Sequence, residues 1–132
     1  MPADPELKVK VEEIIRDNEV LLFMKGTPEV PRCGFSMRVV GMLEHLGVEY
    51  GAVDVLPALD PLREATGEIS DWRTFPQLYV NGELVGGCDI VEEMLETGEL
   101  SKLVGVEQPE TVEAPPQPQP TDPQQSPPLK LG

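Results

Sequence analysis

Basic side chains are scarce in this chain. Across 132 residues, 10 lysines and arginines stand against 24 aspartates and glutamates, a formal net charge of −14. Nucleic acids and anionic membrane surfaces both require a basic face, so neither is expected as a partner. Long apolar runs are also missing: no stretch approaches the ~20 residues of a membrane-spanning helix. No charged segment leads into an apolar one near the start, so no secretory signal is expected. The first motif follows Met1 closely enough to leave little room for a transit peptide. Cysteine occurs only at Cys33 and Cys88, too sparsely for the disulfide framework of a small secreted protein. The reducing cytoplasm is the expected compartment. The single histidine, His45, sits beside Leu46 near a helix end, where a surface or helix-terminal charge role fits better than metal ligation. There is no internal repeat.

The composition changes near residue 107. Residues 1–106 alternate apolar runs with charged stretches in a globular manner. Residues 107–132 are dominated by proline and glutamine, with no aromatic residue and almost no aliphatic one between Gln108 and Pro128. Such a segment cannot bury enough apolar surface to offset its ordering entropy, so a disordered, partly polyproline tail is expected. It reads either as a solubilising tail or as a ligand for an aromatic-lined groove.

Within the first part, Leu7, Val11, Ile14 and Ile15 recur at helical spacing, and Asp17-Asn18-Glu19 closes that helix. Val20 to Met24 is a short, fully buried strand. A second helix runs from Gly34 to Leu46, with Val39, Val40, Leu43 and Leu46 inward, and stops at Gly47. Val48 to Val55 reads as a second strand, and Asp60 to about Thr66 as a short helix with Pro61 in its first turn. Gln77–Val80 and Glu83–Val85 flank Asn81-Gly82, the strongest short hairpin signal. Ile90 to Glu96 is a fourth helix, and Glu99 to Leu103 continues as a fifth. This order predicts an α/β fold, a four-stranded mixed sheet flanked by helices.

One stretch carries the chemistry: Lys25-Gly26-Thr27-Pro28, then Pro31, then Cys33-Gly34-Phe35-Ser36. It joins the first strand to the second helix. The positive end of a helix dipole stabilises a thiolate, which places Cys33 as nucleophile or metal ligand. A Cys-x-x-Cys pair would close an internal disulfide, but the fourth position here is Ser36. Its hydroxyl can hydrogen-bond a thiolate and cannot form a disulfide with it. Cys33 must therefore find its second sulfur elsewhere, on a small thiol or another chain.

Lys25 to Ser36 resembles the active-site loop of the monothiol glutaredoxins, thioredoxin-fold proteins that bind glutathione and a shared 2Fe–2S cluster. Trp72-Arg73-Thr74-Phe75-Pro76-Gln77-Leu78-Tyr79 and Gly86-Gly87-Cys88-Asp89 match further along. The likeness covers roughly residues 5 to 105. Three separated motifs in the family's order make it specific, where Cys-Gly-Phe-Ser alone would be weak. One residue departs: Arg73 stands where the family often has proline, and reads as an added cation beside the groove.

The resemblance implies a thioredoxin-like fold and two cofactors, glutathione and a 2Fe–2S cluster. Such a cluster takes four thiolates; Cys33 from each of two chains and two glutathiones would supply them, so the cluster-bound form would be a homodimer. Lys25 and Arg63 would take one glutathione carboxylate. Gly87, Cys88 and Asp89, at a helix start, would take the other, with Asp89 also reading as the helix N-cap. Pro76 is expected to be cis, letting Thr74 and Phe75 pair with the peptide part of glutathione; the plain alternative is a proline opening a strand. Trp72 and Phe75 border the groove or belong to the core. The Cys88 thiol is either a packed hydrophobe or a backup resolving thiol. The implied function is a carrier that passes the cluster to apo iron–sulfur proteins. The alternative is a monothiol thiol–disulfide oxidoreductase acting on glutathionylated substrates, and a third reading is an adaptor for a regulatory partner.

Overall fold

A computed structural model describes residues 3–106; the Pro/Gln-rich segment from 107 to 132 lies outside the described residues. Helix α1 (Pro5–Asp17) starts on an Asp4 cap, whose carboxylate accepts the Glu6 N–H, with proline at the first helical position. Strand β1 (Val20–Met24) follows, then α2 (Gly34–Leu46), closed by Gly47 at φ 72°. Strand β2 (Gly51–Asp54) leads through a 3-10 turn (Leu56–Ala58) to α3 (Leu59–Ser70). The hairpin β3 (Gln77–Val80) and β4 (Glu83–Gly86) is followed by α4 (Cys88–Thr97) and α5 (Glu99–Val104).

The sheet order is β2-β1-β3-β4, with β1 parallel to β2 and the other neighbours antiparallel. All five residues of β1 are buried because helices cover both faces of the sheet. Val20, Leu22 and Met24 point into one core with Val39, Leu43, Leu78, Val91 and Leu95, beneath α2, α4 and α5. Leu21 and Phe23 point into a second core with Val11, Ile15, Leu62, Ala65 and Tyr79, beneath α1 and α3. The four-stranded mixed sheet flanked by helices is the thioredoxin-like arrangement expected from the sequence.

Two boundaries differ by more than two residues. Val48 to Tyr50 stays out of β2 because the pairing with β1 begins at Leu21 opposite Gly51, while the Val48 N–H is still tied back to the Leu43 carbonyl. Helix α3 runs past Thr66 to Ser70, straight through Gly67. There a Cβ would come within 2.6 Å of the Arg73 guanidinium carbon. Gly67 therefore makes room for a side chain and does not end the helix.

Candidate functional site

The segment from Lys25 to Arg32 is a closed loop. The Lys25 carbonyl accepts from the Arg32 N–H at 2.8 Å, and Thr27 and Val30 exchange both backbone bonds, at 3.2 and 3.0 Å. Two side chains anchor its base. Ser36 Oγ accepts the Lys25 N–H at 3.1 Å, and Asp54 Oδ1 accepts the N–H groups of Gly26 at 2.9 Å and Leu56 at 3.0 Å. Gly26 has φ 92°, and a Cβ there would lie 2.5 Å from the Val30 carbonyl oxygen. Only glycine fits this turn.

Cys33 is the N-cap of α2 in extended conformation, and its carbonyl accepts the Met37 N–H at 2.9 Å. The residue is half-buried, while Ser36 is wholly buried. The Ser36 oxygen thus serves the loop backbone, a use that the sequence did not suggest.

Cys33 opens onto a cleft of about 620 Å³, within the usual range for a small-molecule site. Lys25, Arg63, Thr74, Phe75, Pro76, Gly87, Cys88 and Asp89 line it as well, with Trp72, Phe35 and Ile90. Every site residue nominated from the sequence therefore reaches one cavity. Lys25 comes from the end of β1 and Arg63 from α3, where its guanidinium pairs with Asp60 at 3.2 Å. The Phe75–Pro76 bond is cis. At the start of α4, Gly87 lies beside the Pro76 carbonyl, where a Cβ would sit at ordinary contact distance, 3.4 Å. Phe35, beside Cys33, is 58% exposed.

Four details change the sequence reading. The N-cap of α4 is Gly87, whose carbonyl accepts the Val91 N–H, and Asp89 lies inside the first turn. Its carboxylate complements the helix dipole without capping it. Arg73 does not line the cleft; it turns to α3, where it pairs with Glu64 at 3.0 Å. Phe75 lines the cleft and is also core, 7% exposed and tilted against Phe23 at 6.4 Å. The Thr74 carbonyl accepts from the Gln77 side chain at 3.0 Å, which takes up one of its two lone pairs.

Cys88 is both packed and adjacent to the site. It is 6% exposed within the α2–α4 core, and burial pushes its thiol above the ordinary range, with Arg38 pulling the other way. Its sulfur and the carboxylates of Asp89 and Glu92 lie within 4.8 Å of one another, but Glu92 is held by Arg38 across the α2–α4 contact. Neither Gln77 nor the Arg38–Glu92 pair was legible as part of the site. A glutamine in a strand and two charges on separate helices carry no local pattern.

The geometry agrees with the comparisons to known proteins. The Glutaredoxin family model matches residues 20–85. The probable monothiol glutaredoxin 2 of Rickettsia typhi is 55% identical over 94 residues, spanning 71% of this chain and 84% of that protein. The solution structure of a monomeric truncated mutant of Trypanosoma brucei 1-C-Grx1 superposes with a TM-score of 0.66 at 43% identity, over 76% of this chain and 93% of that one. The crystal structure of a buckwheat glutaredoxin–glutathione complex has a TM-score of 0.68 over 76% of this chain and 88% of that one; at 24% identity it shows the shared fold alone. The chain belongs to the glutaredoxin family, among its monothiol members, and with them to glutathione-related redox chemistry.

Proposed function

We propose that the cleft binds glutathione and that Cys33, together with this glutathione, holds a 2Fe–2S cluster between two copies of the chain for delivery to apo iron–sulfur proteins. The observation that carries the reading is the sulfur inventory of the cleft. Cys33 is half-exposed, Cys88 is buried with its titration pushed up, and residue 36 is a serine committed to the Lys25 N–H. One available sulfur per chain cannot by itself fill a cargo that takes four thiolates, and two chains with two small thiols, the arrangement the family resemblance implies, supply the four. The ends of the cleft support glutathione as that thiol. Lys25 and Arg63 suit one carboxylate, and the N–H groups of Cys88 and Asp89 at the start of α4 suit the other. The Asp89 carboxylate suits the ammonium group. The free thiols of Cys33 and Cys88 suit a reducing compartment such as the cytoplasm.

A second reading draws on one feature: Cys33 is reachable on a single chain. Its thiolate would attack the glutathionyl sulfur of a mixed disulfide and release the substrate thiol. Free glutathione would then attack the Cys33–glutathione disulfide, regenerating Cys33 and leaving as glutathione disulfide.

The test is anaerobic reconstitution with iron, sulfide and glutathione, followed by visible circular dichroism and light scattering on a size-exclusion column. The carrier reading expects a coloured dimer that chelation returns to monomer, lost in Cys33→Ser and retained in Cys88→Ser. A phosphine reductant in place of glutathione should give little cluster. Full-strength cluster without any small thiol would refute the four-thiolate scheme. A colourless monomer with brisk deglutathionylation would favour the enzyme.

A further inference from the structure

We infer that Gln77 is the positioning residue of the ligand groove: its buried amide sets the Trp72–Phe75 segment against the cleft, and so sets the affinity for glutathione. The affinity part rests on the glutathione reading above; the positioning part does not.

Gln77 has no exposed surface and follows directly on the cis proline. Its Nε2 lies 3.0 Å from the Trp72 carbonyl oxygen, 3.0 Å from that of Thr74 and 3.2 Å from Thr66 Oγ1. Backbone carbonyls only accept, so the nitrogen must face the loop and the orientation of the amide is determined. Its Oε1 accepts from the Tyr79 hydroxyl at 2.8 Å. That uses the only proton of Tyr79, so Ser70 Oγ is the donor in the 2.8 Å bond between Ser70 and Tyr79. Thr66 in turn gives its proton to the Leu62 carbonyl at 3.0 Å. The network thus begins on α3, at Thr66 and Ser70, about one and two turns beyond Arg63. It crosses β3 and ends on the carbonyls of Trp72 and Thr74, both of which line the cleft. The cation on α3 and the segment facing it are held in one frame by a single amide.

The test compares Gln77→Glu and Gln77→Met in the full chain. In Gln77→Glu the new carboxylate faces two carbonyl oxygens, and burial pushes its titration up. At pH 8 the glutathione Kd should rise about 10-fold or more, the usual consequence of leaving buried carbonyls without a donor. At about pH 5.5 the protonated acid regains one donor, and the Kd should return to within about 3-fold of wild type. Gln77→Met should lose affinity at both pH values, with no recovery. Trp72 is the only tryptophan, so its emission and acrylamide quenching in ligand-free protein should follow the same pattern. A purely structural role predicts a lower melting temperature without the pH-dependent recovery, and that result overturns the inference. So does a Kd within 2-fold of wild type in both variants. If Gln77→Glu does not fold, Tyr79→Phe removes the donor to Oε1 together with the acceptor of Ser70; unchanged Trp72 quenching in that variant would equally refute it. Wild-type protein that binds no glutathione while Trp72 still reports the pH pattern would overturn the ligand reading and leave the positioning role standing.

Discussion

Gly26→Ala should unfold the active-site loop more severely than any surface change of similar size. The residue sits at φ 92°, where an L side chain is strained by roughly 1–2 kcal/mol. The added Cβ would stand 2.5 Å from the Val30 carbonyl oxygen and 2.7 Å from the Arg32 nitrogen. Both are backbone atoms already bonded within the loop, to Thr27 and Lys25 respectively, so neither can give way without breaking a hydrogen bond of about 1 kcal/mol. The total is about 2–4 kcal/mol, which for a domain of this size lowers Tm by roughly 10–20 °C. Gly34→Ala is the internal control. A Cβ there meets nothing within 4 Å, and the position opens α2. Alanine should be tolerated there, changing stability by no more than about 0.5 kcal/mol at this first helical position. Urea titrations of both variants, followed by far-ultraviolet circular dichroism, give the comparison. A Gly26→Ala protein within about 0.5 kcal/mol of wild type would mean that the loop does not close as described, and the reasoning would fail.

Three further outcomes can be measured directly. A short iodoacetamide pulse at neutral pH should give one adduct by intact mass, at Cys33. Buried Cys88 should react only at alkaline pH or on unfolding, and two adducts forming at equal rates would show that the start of α4 is open. The Ala3 backbone N–H, and then Lys8, hold Glu68 below the ordinary carboxylate range. A depressed folded value stabilises above the unfolded pKa and is lost as pH falls through the folded one. Glu68→Gln should therefore be slightly less stable at pH 7, with urea midpoints converging on wild type as the pH is lowered to 3; a gap that widened in acid would contradict the assignment. A double-mutant cycle between Arg38→Ala and Glu92→Ala should return about 0.5–1 kcal/mol of coupling, as expected for a partly exposed ion pair, whereas zero coupling would remove the pair as a link between α2 and α4.

The parts of the molecule that the sequence disclosed are those written in local patterns. Apolar runs, helical spacing and the Asn81-Gly82 turn located the elements, and three motifs located the cleft residues other than Arg63 and Ile90. Helix α2 and strands β1 and β3 fall where the pattern places them. What escaped depends on partners distant in the chain. The length of β2 is set by where β1 begins to pair, and the passage of α3 through Gly67 is set by Arg73 from the next loop. Asp89 looked like a cap because it is a good capping residue, yet Gly87 already had the geometry. Ser36 was legible as the absence of a sulfur. Its bond to Lys25, on the neighbouring element, became visible only in three dimensions.

The alternation along β1 and β3 has a consequence for how this molecule comes apart. Each strand sends successive side chains to opposite cores, so neither core owns its central wall. Peeling α1 and α3 away would expose Leu21, Phe23 and Tyr79, and would leave the strands that support Leu22 and Leu78 without backing. Both cores should then melt in a single cooperative transition. The slowest amide exchange should cluster where β1 meets β3, around Leu21 to Phe23 and Leu78 to Tyr79. Opening of the cleft short of global unfolding should therefore start at its rim, in the closed loop before Cys33 and the first turn of α4.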